Sequence, residues 1–474
     1  MPMVHVAVAG GGIAGLAAGL FLARRGHRVT VLERDPRTAG ADLDADFLHW
    51  PRPRTPQAVQ PHSLLGPVRT VLRELVPDVY AAVLRDGAIE HHDLPAEPAD
   101  PAGPAHPAGL PPEEFVTMRT RRIVLEAALV RALRAEPGAE LRTGSAVEGL
   151  LTAGRSAVPR VTGLRTAAGE DLRADLVIDA GGRRTRLPRW LQRAGARPVR
   201  TERHPTGIAY FCRWYRARPG QSEPAGLGAA APHALCGVFP SDNGYFAVAL
   251  TVSVEDPART ALRDPDAFDA AARTFPAARD WLALDQRPTG PVHVMAGLDN
   301  RWTALVDERG PQVTGLIGIG DGAVHTNPTL GQGIPLALWA AAEIARHDDP
   351  ADPGLAAAHH QWRVARLKPW YDAQVAADRM HRARFRAALR GEPLPAPAGD
   401  ALLAVALAAA RADPAAARAR ARIRHLRRTP ARTLADPADR ARAEEWLRAH
   451  PDFDGLPPAT DRTDRTAWDA ALGR

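Results

Sequence analysis

Apolar positions near the start of the chain change period twice within thirty residues. Residues 4–9 are a short run of β-formers and predict a buried strand. Residues 16–25 carry apolar side chains at helical spacing. Gly26 stops that helix, and residues 29–33 form a second strand closing on Glu33. Residues 34–65 are polar and proline-rich and predict a loop positioned to cover a ligand. Residues 68–84 read as a helix broken at Pro77, and 95–112 as a mobile loop dense in Pro, Ala and Gly. Residues 119–134 predict an amphipathic helix, with Ile123, Val124, Ala127, Ala128 and Val130 on one face and Arg and Glu opposite. Strands are expected at 140–142, 147–151, 161–166 and 175–179, the middle two as a hairpin. From 207 to 254 the period becomes two. Segments 208–215, 237–240 and 245–254, with Ser241-Asp242-Asn243-Gly244 as a hairpin turn, predict a separate antiparallel sheet. Helices at 266–274 and 277–284, a buried strand at 315–320 and a helix at 334–347 follow. Beyond 358 helical patterns rich in Arg and Ala dominate.

Three stretches carry chemistry. In the first, Gly10-Gly11-Gly12-Ile13-Ala14-Gly15 joins the first strand to the first helix. Gly10 permits the tight turn, Gly12 lets a pyrophosphate approach the backbone, and Gly15 lets helix and sheet pack closely. The helix N-terminus attracts phosphate, and Glu33 can accept both hydroxyls of an adenosine ribose. In the second, the strand 175–179 runs into Ala180-Gly181-Gly182-Arg183-Arg184-Thr185, which lets backbone approach another part of the same dinucleotide. In the third, Gly320-Asp321-Gly322 ends a strand, and Asn327-Pro328-Thr329-Leu330-Gly331-Gln332-Gly333 opens a helix. Asp321 can hold a ribitol hydroxyl, and the helix amides can stabilise negative charge on a reduced ring.

Composition narrows the class. At 474 residues, 45% of them hydrophobic, the chain can hold two or three domains. The two cysteines, Cys212 and Cys236, suit a reducing compartment and exclude a disulfide scaffold. No Cys/His spacing suits a metal. The +7 charge is almost all arginine, and Lys368 is the single lysine. No signal peptide or membrane-length apolar run occurs, which predicts a soluble cytoplasmic protein, monomeric or homodimeric. The basic run Arg418, Arg420, Arg422, Arg424, Arg427 and Arg428 lacks interleaved aromatics. It predicts a solvated helical face and no nucleic-acid partner.

Taken together, the three stretches resemble the fingerprint of FAD-dependent monooxygenases with the para-hydroxybenzoate hydroxylase fold, over residues 4–35, 174–190 and 315–345. The resemblance implies an α/β architecture. A Rossmann-type FAD-binding domain would occupy 1–75, 113–200 and 290–360. An inserted substrate domain with an antiparallel sheet would occupy 76–112 and 201–289, and a C-terminal helical extension 361–474. It implies FAD, held by Gly10, Gly12, Ile13, Ala14, Gly15, Glu33, Arg34, Arg122, Gly182, Gly320, Asp321, Pro328, Gly331, Gln332 and Gly333. Arg119 and Arg121 compete with Arg122 for a place over the pyrophosphate. The implied reaction inserts one oxygen atom of O₂ into a small organic molecule, by hydroxylation or epoxidation, through a flavin C4a-hydroperoxide. NAD(P)H or a partner flavin reductase would supply electrons. His62 and His325 are the candidate pocket groups, and Tyr210, Trp214 and Phe246 a candidate substrate wall. Arg52 and Arg54 could meet an acidic substrate.

Departures from the family pattern shape these expectations. Gly181 stands where aromatic hydroxylases carry an Asp tied to FAD and NADPH. Val324 stands in place of a His, and Gln60 replaces the first of two loop histidines, leaving His62. Asp179-Ala180-Gly181-Gly182-Arg183 and Thr55-Pro56-Gln57 are more similar to a natural-product branch that includes polyether epoxidases. A reductase of polyprenyl-type double bonds is the second enzyme class. A halogenase would need an early lysine and a Trp-x-Trp-x-Ile-Pro segment, and the sequence has neither.

Overall fold

A computed structural model describes residues 3–94, 115–153, 158–410, 412–456 and 462–474. The loop expected at 95–112 lies outside the described residues. The chain opens with β1 (His5–Ala9), α1 (Ile13–Arg24) and β2 (Arg28–Leu32). After these come α2 (Leu43–His49), α3 (Gly66–Leu75), α4 (Pro77–Arg85), β3 (Ile89–His92), β4 (Val116–Arg119) and α5 (Arg122–Ala135). β5 (Ala139–Arg142), the meander β6 (Val147–Ala153), β7 (Arg160–Thr166) and β8 (Asp171–Arg173), then β9 (Leu176–Asp179) and α6 (Leu187–Arg193) complete the first half.

The second half begins with β10 (Arg200–Pro205), β11 (Ile208–Ala217), β12 (Gly228–Ala230), β13 (Ala234–Pro240) and β14 (Tyr245–Ser253). Next are α7 (Pro265–Arg273), α8 (Pro276–Leu282), β15 (Gln286–Pro288), β16 (His293–Met295) and β17 (Asp299–Ala304). β18 (Val306–Asp307), β19 (Gly310–Pro311), β20 (Leu316–Gly318), β21 (Val324–His325) and α9 (Gly333–Arg346) lead into the tail. The tail holds α10 (Leu355–Arg366), α11 (Lys368–Arg390), α12 (Asp400–Ala409), α13 (Pro414–Arg424), α14 (Pro430–Leu434), α15 (Pro437–Ala449) and α16 (Arg465–Ala471).

The parallel sheet has the order β20-β9-β1-β2-β5. Apart from the edge strand β5, which carries Glu140 and Arg142, its strands are almost continuous apolar runs because helices cover it. α1 is buried along nearly its whole length and packs with α5, α9 and the sheet in the largest core. The antiparallel sheet has the order β12-β13-β14-β11-β15, with β16 also on β11. β11 and β14 pair over nine positions, from Ile208 with Ser253 to Arg216 with Tyr245. In the turn before β14, Asn243 takes φ 55°, a left-handed conformation that Asn tolerates.

Several features depart from expectation. Within 34–65 the chain forms α2, capped by Asp42, whose carboxylate accepts the Ala45 N–H at 2.9 Å. Phe47 anchors α2 edge-on against Trp214, with ring centroids 5.1 Å apart. On α5 the residues expected to face solvent include Arg122 and Glu126, and both are buried. α4 packs in the core of the parallel-sheet lobe through Val79 and Val83. β16 extends the antiparallel sheet past residue 289, where it was expected to end. Among the described residues, no helix is long and apolar enough to cross a membrane.

Candidate active site

The carboxyl ends of β1, β9 and β20, the glycine turn and the antiparallel sheet open on one cavity of about 1310 Å³. Gly10 has φ 114°, and a Cβ there would lie 2.5 Å from the Ala180 carbonyl oxygen. A Cβ on Gly15 would lie 1.9 Å from the Gly10 carbonyl oxygen, so α1 crosses directly against the turn. Gly12 differs: a Cβ there would meet only Arg122 Nη2, at 3.9 Å. Gly12 is also the N-cap of α1 and supplies no side-chain cap. The first N–H groups of α1 therefore face open space in the cavity wall, a cradle suited to phosphate.

Glu33 does more than await a ribose. Its Oε2 accepts the Gly11 N–H at 2.6 Å and its Oε1 the Asp35 N–H at 2.8 Å, which latches the turn to the end of β2. Each carboxylate oxygen keeps a second lone pair for a ligand. Of the three competing arginines, Arg119 and Arg122 line the cavity and Arg121 does not. Arg122 is held by Glu126 at 2.8 Å, and Glu126 also pairs with Arg52. Burial alone would raise the Glu126 carboxyl, but Arg122 and Arg52 outweigh it and hold it down to about 2. Arg52 is thereby committed, while Arg54 lines the cavity.

Asp179 was missed as a site residue. It ends β9, is almost wholly buried and borders the cavity. Its Oδ1 accepts the Thr185 hydroxyl at 3.0 Å and the Gly181 N–H at 3.2 Å, whereas Oδ2 has no partner. Burial pushes this carboxyl up to about 6 against those two hydrogen bonds. Opposite, Gly320, Asp321, Pro328, Gly331, Gln332 and Gly333 all line the cavity, as do Ile13, Ala14, Arg34 and Gly182. Gly15 sits behind them as a packing residue. The uncapped cradle at Gly12, the unpaired Asp179 oxygen and the glycine-lined turns fit an extended dinucleotide cofactor.

His62 and His325 both line the cavity. His62 Nδ1 lies 2.8 Å from the Gln60 carbonyl, and His325 Nδ1 lies 2.5 Å from the Asp299 carbonyl. A carbonyl only accepts, so each Nδ1 carries a proton, and in a neutral ring Nε2 then keeps a lone pair. Burial, helped by nearby Arg122, pushes the His62 imidazole down to about 4. It is a neutral acceptor at ordinary pH.

The expected aromatic wall is corrected. None of Tyr210, Trp214 and Phe246 lines the cavity. Phe246 lies on the sheet face covered by α7 and α8, stacked on Tyr215 at 5.2 Å and near Trp281. Trp214 faces the other way, but its ring N–H donates to the Val59 carbonyl at 2.8 Å, beneath the loop before α3. Tyr210 is buried beside Cys212 and Ala249. The sheet instead presents Leu227, Val238, Phe239 and Pro240, joined by Met295 and Leu298.

The arginine-rich tail is also not simply a solvated face. Ala417, Arg420, Ala421 and Arg424 share one side of α13 by helical spacing, and all four line the cavity. The buried His425 docks that helix. Its Nδ1 accepts the Gly66 N–H at 2.9 Å, and its Nε2 donates to Asp93 at 2.9 Å. Arg424 donates to the same carboxylate at 2.8 Å.

Residues 5–45 match the family of FAD dependent oxidoreductases. Over that stretch the chain is similar to FAD-dependent oxidoreductases. Protein Rv3254 of Mycobacterium tuberculosis is 29% identical over 367 residues, 73% of this chain and 73% of its own length. Among solved structures, PqsL, a probable FAD-dependent monooxygenase from Pseudomonas aeruginosa, superposes with a TM-score of 0.58 at 18% identity. That match covers 82% of this chain and all of PqsL. The flavin-dependent brominase Bmp2 gives a TM-score of 0.58 at 16% identity over 94% of this chain and all of its own. At these identities the likeness defines the fold, which is that of FAD-dependent monooxygenases.

Proposed function

We propose that this oxidoreductase is a monooxygenase that places one oxygen atom of O₂ on an organic substrate bearing a hydroxyl or N–H group. The observation that carries this reading is the pair of imidazoles at His62 and His325. Both line the cavity with Nδ1–H donated to a main-chain carbonyl, and the neutral His62 ring keeps Nε2 as an acceptor. An acceptor there calls for a substrate that donates. The apolar side chains Leu227, Val238, Phe239, Met295 and Leu298 suit an apolar body.

Bound FAD supplies the electron transfer and O₂ chemistry. Glu33 and Arg34 would hold its adenosine end, the α1 N-terminus and Arg122 its pyrophosphate, Asp321 its ribityl chain, and the turn 328–333 its ring. His62 and His325 orient the substrate through its donor hydrogen, and the apolar sheet and α13 keep water away. His62 acts as a hydrogen-bond acceptor, since an imidazole titrating near 4 is a weak base at neutral pH. Lys368 is tied to Asp372 at 2.6 Å and to Glu202 at 3.2 Å, outside the cavity lining, so it serves no halogenase chemistry. NAD(P)H or a partner reductase would supply the electrons, and a role in natural-product formation accords with the motif pattern.

The test uses purified protein loaded with FAD, reduced with NADPH or dithionite, and given ¹⁸O₂ with panels of phenols, aromatic amines and simple alkenes. One labelled oxygen atom in a phenol or amine product is the expected result. Label confined to epoxides would remove the donor requirement. Substrate turnover without O₂ would replace the reading with a reductase.

A further inference from the structure

The C-terminal extension reaches the proposed flavin-side turn through a buried carboxylate. Asp378, on α11, accepts three amide donors: Asn300 Nδ2 at 2.6 Å, Asn327 Nδ2 at 2.7 Å and Gln374 Nε2 at 2.9 Å. All four side chains are buried. The amide orientations follow from the other end of each group. Asn300 Oδ1 accepts the Asn327 main-chain N–H at 2.7 Å, and Asn327 Oδ1 accepts the Thr329 N–H at 3.2 Å. With both oxygens committed to N–H donors, both asparagines must turn NH₂ toward Asp378. Only a group that accepts at both oxygens satisfies them.

Asn327 caps the short helical turn at Pro328–Leu330, and the chain from Pro328 to Gly333 lines the cavity. Asn300 follows Asp299, whose carbonyl fixes His325. One carboxylate on α11 therefore ties together the turn and the strand end that orients a cavity imidazole.

We infer that Asp378 is a positioning residue of the FAD site, setting the 327–333 turn through Asn327 and Asn300, so that α11 is an integral part of cofactor binding. This rests on the reading that the cavity takes FAD. It does not require that the reaction be oxygenation.

The experiment is FAD affinity by equilibrium titration, with the visible spectrum of the bound flavin, for the full-length protein and three variants. D378N turns an amide NH₂ against fixed NH₂ groups, and N327D sets two carboxylates face to face. Each should raise the FAD Kd by about tenfold or more. The double exchange N327D/D378N restores a donor–acceptor pair, with the Gln374 amide turned over. It should return the Kd to within about threefold of wild type. Recovery of both Kd and the bound-flavin spectrum in the double exchange supports the inference, and thermal melts without FAD separate it from a bulk structural role, which would lower Tm in the single variants in step with affinity. D378N binding FAD like wild type would overturn it. So would a double exchange that is insoluble or no better than the singles. Failure of the wild-type protein to bind FAD would strike the proposed function instead.

Discussion

Replacing Arg121 by Met tests whether one buried charge web joins the parallel-sheet lobe to the antiparallel sheet. The Arg121 side chain is completely buried. It donates to Asp242 Oδ2 from Nε at 2.9 Å and from Nη2 at 2.5 Å, and to Asp44 at 2.5 Å. Its guanidinium lies 4.0 Å from the Tyr245 ring centroid and 4.9 Å from that of Phe47. Arg121 precedes α5, Asp44 is on α2, and Asp242 is in the turn between β13 and β14. Three elements thus converge on one cation. Removing it leaves Asp242 buried without a counter-charge, a loss of about 3–5 kcal/mol in comparable pairs. The lower end applies, because Asp242 still accepts the Arg121 main-chain N–H at 2.5 Å and the Ser241 hydroxyl at 3.0 Å.

Urea unfolding followed by tryptophan fluorescence should therefore show Arg121→Met destabilised by about 3 kcal/mol. Adding Asp242→Asn should recover more than about 1 kcal/mol of that loss. The amide oxygen still accepts the Arg121 N–H while the stranded charge is gone. A loss below about 1 kcal/mol for Arg121→Met, or additive losses in the pair, would refute the argument.

Four further outcomes are expected. Gly12→Ala should fold normally but bind FAD at least about tenfold more weakly, because its methyl enters open cavity space. Gly15→Ala should fail at folding, because its methyl would lie 1.9 Å from a carbonyl oxygen; thermal melts beside FAD titration separate the two. Asp179, with a folded pKa near 6 against an ordinary 3.8, keeps its proton longer in the folded state, so its burden on stability is absent below pH 4 and grows as pH rises to 6. Asp179→Asn should thus gain up to about 3 kcal/mol over wild type at pH 7 and almost nothing at pH 4, and a pH-independent difference would contradict this. His62, depressed to about 4, stays neutral, so its own contribution to substrate binding should not vary between pH 6 and 8. A binding curve with an inflection near 6.5, lost in His62→Gln, would show a titrating imidazole instead.

The parts of the fold legible in the sequence are those where local chemistry and tertiary demand coincide. Gly10 and Gly15 are required by a φ of 114° and a carbonyl in the way, and no other residue meets either demand. The turn at 241–244 is set by Asn243 and Gly244, and its strands pair in the expected hairpin. α2 was hidden because the prolines around it outweigh a seven-residue pattern, and Phe47 is fixed by a ring 167 residues later. Strand alternation gives two faces but does not say which one a cavity takes. Phe246 and Tyr245 are equally apolar to the eye. Only the docking of α7 and α8 sends Phe246 into a sealed core.

The site divides along the same line. Residues that would touch FAD through backbone geometry were visible, because glycine and helix starts advertise themselves in order along the chain. Residues that act through charge in a buried place were not. Arg121 and Arg122 are neighbours in sequence, yet one is a sealed cross-link and the other faces the cavity. The difference lies in Asp242, which no local pattern ties to Arg121, whereas Glu126 sits one helical turn beyond Arg122. Asp179 reads as one more residue of an apolar strand end until the fold removes water from one of its oxygens. α13 reads as a solvated basic helix because its cavity-lining positions are mostly Ala and Arg, with Ile423 the one large apolar residue among them. What commits that face is His425, whose two ring nitrogens bridge the start of α3 and Asp93. A small side chain every turn leaves room beside a ligand, and that is useful only once the helix has been fixed there from outside its own sequence. A segment whose composition alone marks it as surface thus forms part of the cavity wall.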